Sequence, residues 1–163
     1  RRNEIPIGIG KISYTYNDIL FCAAVGSCVA LTIRNNRSGY TGMAHVFLPD
    51  AATGHHSEDS PGKYADWAVT NLINNLLIKT DSSVNDLSAY VSGGAQMFPI
   101  RQAQCCMDIG KINAERVRQL LIDHHIVIKF WDVGGKAART VAFDAAKGEI
   151  SVTKKDDRTV KKS

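Results

Sequence analysis

The chain has 163 residues, 44% of them hydrophobic, which suits one globular domain, and its formal net charge is +4. Five basic and two acidic side chains fall in residues 154–163, so residues 1–153 carry only +1. We therefore expect no nucleic-acid partner, because a phosphate-binding face would lie on the folded body. The most apolar stretch, residues 19–33, is too short and too interrupted to span a bilayer, which predicts a protein that is not embedded in a membrane.

Alternating and strand-forming residues dominate the first third of the chain. In residues 5–16, apolar side chains occupy every second position on either side of Gly8 and Gly10. This alternation predicts a strand or a hairpin. Residues 19–24, 28–33 and 42–48 predict three further strands. Residues 51–63 are rich in Gly, Ser, Pro and charged residues, which predicts an exposed loop.

Two helices are expected in the rest of the chain. Residues 64–78 place apolar side chains at helical spacing on one face: Ala65, Ala68, Val69, Leu72, Ile73 and Leu76. Asn113 is a candidate N-cap for a second helix that ends at Asp123. Residues 87–91, 126–131, 138–143 and 149–153 predict strands.

The order of these elements predicts the fold class. Helices do not alternate with strands, which excludes a doubly wound parallel sheet. We predict an α+β fold, a layered sandwich of mainly antiparallel sheet with outer helices. It forms a single domain over residues 1–153, and residues 154–163 form a charged, flexible tail.

The four cysteines are Cys22, Cys28, Cys105 and Cys106. Their spacing matches no zinc-ligand pattern, and adjacent cysteines rarely form a disulfide, so we expect reduced thiols and no bound metal. Residues 1–4 lack the apolar core of a signal peptide. Both observations favour the cytoplasm.

Cys28 and His45 are the residues best suited to chemistry. Cys28 follows Gly26 and Ser27 and opens an apolar strand, and a nucleophile at such a junction can have backbone N–H groups facing a developing oxyanion. His45, on the strand 42–48, could take the proton of the thiol. Taken alone, each residue is more simply explained as structural, Cys28 as a buried core cysteine and His45 as a hydrogen-bonded strand histidine.

Several motifs, in order along the chain, resemble those of the CheD family, the chemoreceptor glutamine deamidases. They are VGSCVAL at 25–31, GMAHVFLP at 42–49, KYAD at 63–66, GGAQMF at 93–98, IGKIN at 109–113, and DVGG at 132–135 with Arg139. The resemblance runs from about Ile5 to Thr153, nearly the whole chain. An ordered series of this kind is far more specific than any one of its motifs.

This resemblance implies a sandwich-fold enzyme that hydrolyses glutamine side chains to glutamate on the cytoplasmic helices of methyl-accepting chemotaxis receptors. Cys28 corresponds to the family's nucleophile and His45 to its base, and backbone groups at Gly26 and Ser27 would hold the oxyanion. No cofactor or metal is implied. Many members of the family also bind a CheC-type phosphatase.

Cys22 departs from the family pattern. Members commonly carry a threonine there that orients the histidine, and a thiol is a weaker hydrogen-bond partner. The departure leaves open a binding module that regulates a CheC-type phosphatase or a receptor without turnover. A different Cys–His hydrolase, such as a peptidase, would use the same two residues.

Overall fold

The computed structural model describes residues 2–51, 59–97, 108–154 and 160–162. These ranges hold the helices α1 (Ala65–Thr80) and α2 (Ile109–Asp123) and a short 3-10 helix (Val84–Asp86). The strands are β1 (Glu4–Pro6), β2 (Ile12–Thr15), β3 (Ile19–Val25), β4 (Val29–Asn35), β5 (Thr41–Val46), β6 (Leu87–Gly93), β7 (Val127–Val133), β8 (Arg139–Asp144), β9 (Glu149–Lys154) and β10 (Val160–Lys162).

The strands form two five-stranded sheets. The first has the order β1-β3-β8-β9-β10 and the second the order β2-β5-β4-β6-β7. Only the β1–β3 and β6–β7 pairs are parallel among the strand pairs of the described chain. The prediction of a layered, mainly antiparallel α+β sandwich in a single body is confirmed.

Two hydrophobic clusters lie on opposite faces of the second sheet. On one face, α1 and α2 pack against side chains such as Val29, Leu31 and Ile33 of β4. On the other face, Cys28 and Ala30 pack against the first sheet. The first five residues of β4 are therefore buried on both sides of the sheet, which explains why four of these five are apolar.

The helical period predicted α1 correctly. The six apolar residues that it placed on one face are the six buried residues of the helix. Burial of this stripe against the second sheet stabilises the helix more than its intrinsic propensity does.

Two local predictions are wrong. Residues 5–16 do not form a hairpin, because β1 pairs with β3 in the first sheet and β2 pairs with β5 in the second. Asn113 is not an N-cap, because α2 begins four residues earlier, where the Asp108 carboxylate accepts the Lys111 N–H at 3.0 Å. Asn113 lies inside the helix and is fully buried.

Strand β10 lies within residues 154–163, where it pairs antiparallel with β9. Neither α1 nor α2 is long and apolar enough to cross a membrane, and the same holds for every helix in the described ranges.

Candidate active site

Cys28 lies at the end of the turn 26–28, directly before β4. Its side chain is 7% exposed and faces the core between the two sheets. Burial raises the pKa of the Cys28 thiol to about 11. The thiol is therefore protonated at neutral pH in the free protein and needs a base to become a nucleophile.

The turn 26–28 is held through its backbone. All three of its carbonyl oxygens accept hydrogen bonds from groups at the end of β6 and on α2. The bonds run from the Ala95 N–H to Gly26 (2.9 Å), from Asn113 Nδ2 to Ser27 (3.0 Å) and from the Gly94 N–H to Cys28 (2.7 Å). The N–H groups of Ser27 and Cys28 donate to no other backbone carbonyl in the described ranges.

Two glycines allow this close packing. Gly93 has a φ of +126°, and a Cβ there would lie 2.4 Å from the Cys28 carbonyl oxygen. A Cβ on Gly110 would lie 2.3 Å from the Ala95 carbonyl oxygen, so α2 meets the end of β6 in backbone contact. The Gly93-Gly94 pair thus has a close-packing role.

His45 is placed by the pairing of β4 and β5. His45 lies opposite Ala30 in this pairing, and Ala30 follows Cys28 by two residues. The side chains of Cys28 and His45 therefore project from the same face of the sheet. Diagonal neighbours of this kind lie about 7–8 Å apart. The fold thus places the predicted nucleophile and base on one face of the sheet.

The two ring nitrogens of His45 have different surroundings. Nδ1 lies 2.9 Å from the carbonyl oxygen of Ile7, so Nδ1 carries the proton and donates it. Nε2 is buried and has no hydrogen-bond partner among the described residues. Burial lowers the pKa of His45, while the Ile7 bond acts in the opposite direction. A neutral imidazole with a free Nε2 lone pair is the form that accepts a proton.

Cys22 lies on β3, in the sheet facing Cys28. It is fully buried, and its Sγ lies 3.6 Å from the Sδ of Met43. Burial raises its pKa well above the ordinary thiol value, and the nearby Cys28 adds to that rise. The Nδ1–H of His45 donates to the Ile7 carbonyl and not to Cys22. The role of Cys22 in orienting the histidine stays a prediction.

Sequence reasoning did not identify two polar residues near Cys28. Asn113 donates from Nδ2 to the carbonyl oxygens of both Ser27 and Phe47, at 3.0 Å each. Ser92 lies opposite Ala30 on β6, and its fully buried Oγ has no partner in the described chain. Asn113 belongs to the IGKIN motif, which signalled a function without specifying it, whereas Ser92 becomes notable only through strand pairing.

Three large apolar side chains are exposed next to residues that contact the turn 26–28 or His45: Ile9, Phe47 and Met97. Met97 Sδ lies 3.1 Å from the position of a Cβ on Gly26. The carbonyl groups of Phe47 and Ser27 share the amide of Asn113. Ile9 lies between Ile7 and Gly10, whose backbone groups both bind His45. We call these three side chains the apolar rim.

Cys22 and Cys28 are free thiols. Within the described ranges, no three His, Cys, Asp or Glu side chains come together as a metal site would require. Cys105 and Cys106 lie outside the described residues.

Comparison with known proteins gives one consistent family. The model of the family described as "CheD chemotactic sensory transduction" matches residues 47–154. The "Chemoreceptor glutamine deamidase CheD" of Thermotoga maritima is 38% identical over 149 residues, covering 91% of this chain and 90% of that protein. The "Probable chemoreceptor glutamine deamidase CheD" of Oceanobacillus iheyensis is 34% identical over 151 residues, covering 92% and 90%.

Proposed function

This chain belongs to the CheD family, and we propose that it hydrolyses glutamine side chains of chemotaxis receptors to glutamate and ammonia. The observation that carries the proposal is the position of Cys28 and His45 on one sheet face, where the histidine presents a buried, unpartnered Nε2. The names of the relatives supply the substrate class, chemoreceptor glutamine. The receptor's cytoplasmic helices would be the substrate segment, which makes the cytoplasm the proposed location.

The first step transfers a proton. His45 Nε2 takes the Cys28 proton as the sulfur attacks the side-chain carbonyl carbon of glutamine. The raised pKa of the Cys28 thiol and the lowered pKa of His45 favour two neutral groups at rest over a preformed thiolate–imidazolium pair. General-base catalysis during attack is therefore the route we propose.

The negative charge that develops on the carbonyl oxygen needs donors. The turn 26–28 supplies the N–H groups of Ser27 and Cys28, which have no backbone acceptor in the described chain. Gly26 carries no side chain at this turn, and Met97 packs there instead, with its Sδ 3.1 Å from the position of a Gly26 Cβ. Preorganised donors of this kind stabilise an oxyanion strongly because they need no reorganisation during the reaction.

Two further steps complete the cycle. Protonated His45 gives its proton to the leaving nitrogen, so that ammonia departs and a thioester joins Cys28 to the substrate. His45 then takes a proton from water, and the resulting attack on the thioester releases glutamate and restores the thiol. These steps use only water and groups of this chain.

A binding module is the second candidate function. Cys22 at the family's threonine position and the raised pKa of the Cys28 thiol are the observations in its favour. Such a protein would bind a receptor or a CheC-type phosphatase without turnover. The same partners are compatible with an active enzyme.

Ammonia release from a purified receptor cytoplasmic fragment tests the proposal. We expect release with the wild-type protein and none with Cys28→Ala, which removes only the sulfur. Cys22→Ala is the matched control, because it removes a second buried thiol and should leave most of the activity. Binding of the receptor fragment without ammonia release would support the binding module instead.

A further inference from the structure

Asn113 uses only half of its hydrogen-bonding capacity. The residue is fully buried, and its Nδ2 donates to the carbonyl oxygens of Ser27 and Phe47. Its Oδ1 is also buried and has no partner in the described part of the chain. An unpartnered buried acceptor is unfavourable, so the fold tolerates a penalty to keep this donor in place.

The Ser27 bond fixes the direction of a neighbouring N–H group. A trans peptide unit is planar, and its C=O and N–H point in opposite directions. No described peptide bond is cis. Because Asn113 holds the Ser27 carbonyl towards α2, the Cys28 N–H of the same peptide unit points away from α2.

The neighbouring carbonyls show why Asn113 matters. Backbone N–H groups hold the carbonyls of Gly26 and Cys28, and a side-chain substitution cannot remove those bonds. The carbonyl between them depends on the Asn113 side chain alone among the described residues. Without it, the Ser27–Cys28 peptide is free to rotate.

The second bond of Asn113 reaches the strand of the base. Phe47 follows His45 by two residues, directly after β5. One amide group thus ties the backbone before the nucleophile to the backbone after the histidine. The two bonds of Asn113 limit how far the backbone before β4 can move from the backbone after β5.

We propose that Asn113 is a positioning residue that orients the Ser27–Cys28 peptide so that the Cys28 N–H faces the oxyanion. The inference rests on the proposed function, because it assigns a role within the same reaction. It predicts that Asn113 affects the acyl-transfer chemistry and leaves the intrinsic reactivity of the sulfur unchanged.

Asn113→Ala tests this prediction in the receptor assay. We expect kcat for deamidation to fall at least about tenfold, up to the roughly 10²–10³-fold loss seen when an oxyanion donor is removed. KM should change little. Alkylation of Cys28 by iodoacetamide should keep its rate, because displacement at that carbon forms no oxyanion. A general structural defect would lower both rates.

Asn71→Ala is the matched control. Asn71 also donates from Nδ2 to a backbone carbonyl, that of Pro61, at 2.9 Å, but it lies on α1. Its loss should leave kcat unchanged. Unchanged kcat in a folded Asn113→Ala variant, or parallel losses of deamidation and alkylation, would overturn the inference.

A measurement on the wild-type protein covers the case in which Asn113→Ala does not fold. An aldehyde analogue of glutamine adds to Cys28: the sulfur bonds to the carbonyl carbon as its proton passes to His45, and the π electron pair moves to the oxygen. We expect the amide ¹⁵N–¹H resonance of Cys28 to shift strongly on addition. An adduct that forms without this shift would refute the oriented N–H. Because no receptor is needed, failure of receptor deamidation alone would refute the proposed function and not this inference.

Discussion

At the scale of single residues, His45 determines how the proposed site responds to pH. Burial lowers its pKa below the ordinary value of 6.5, so the imidazole stays neutral, and able to accept a proton, at slightly acidic pH. Activity should therefore stay constant on acidification down to pH 6.5 and fall only below that pH. The pH profile of kcat/KM measures this, and a midpoint above that value would contradict the assignment.

Removal of the imidazole should be costly. We expect His45→Ala to lower deamidation by roughly 10²–10⁴-fold, the usual contribution of a general base. Alkylation of Cys28 near neutral pH should also slow, because the thiol of raised pKa loses its proton acceptor. Alkylation kinetics identical to the wild type would show that His45 does not serve Cys28.

Cys22 should have a small effect on the rate. The Ile7 carbonyl already holds Nδ1 of His45, so Cys22→Ala should lower deamidation only slightly and Cys22→Thr should keep or raise it. The threonine hydroxyl would cost about 1–3 kcal/mol of stability unless it finds a partner. Melting temperature and deamidation rate, measured together, separate these effects. A destabilised Cys22→Thr protein with no gain in rate would remove Cys22 from the site.

At the scale of elements, the contact between α2 and the end of β6 supports the turn 26–28. Gly110→Ala should destabilise the protein by about 1–3 kcal/mol, because its Cβ would meet the Ala95 backbone oxygen at 2.3 Å. Gly8→Ala is the control for melting temperature, since its Cβ would meet only the Lys11 side chain at 3.8 Å. Equal melting temperatures for the two variants would contradict this account.

The element-scale predictions show what periodicity can and cannot determine. The stripe of α1 repeats every turn, so the sequence specified both the helix and its buried face. Alternation in residues 5–16 identified strands but not their partners, because pairing depends on the rest of the sheet. Asn113 fits the sequence pattern of an N-cap, because an asparagine that binds backbone looks the same in sequence at a helix start and inside a helix.

Only part of the candidate site could be predicted from the sequence, because strand pairing depends on the rest of the sheet. Motifs pointed to Cys28 and His45, whereas the carbonyl of Ile7 that holds the histidine has no side-chain signature. Ser92 lies near Cys28 only because β6 pairs with β4 in a particular register. Register is a property of the assembled sheet, so local sequence could not supply it.

At the scale of the whole molecule, we expect a receptor segment to contact the apolar rim while its glutamine reaches Cys28. We expect Phe47→Ser to raise KM for the receptor fragment and to leave kcat almost unchanged. Val127→Ser is the matched control: Val127 is 63% exposed and pairs with Ser88, at the end of β6 remote from Gly93. Equal KM values for the two variants would show that the rim does not contact the substrate.

The central claim is that Cys28 directs water onto a receptor glutamine side chain. It is tested most directly by mass spectrometry of a receptor fragment treated in water enriched in the heavy isotope of oxygen. The account predicts that specific glutamines become glutamates that carry one heavy oxygen in the side-chain carboxylate, with the wild-type protein and not with Cys28→Ala. Heavy oxygen at new chain ends would indicate a peptidase, and bound receptor with unchanged glutamines would indicate a binding module; either result would contradict the account.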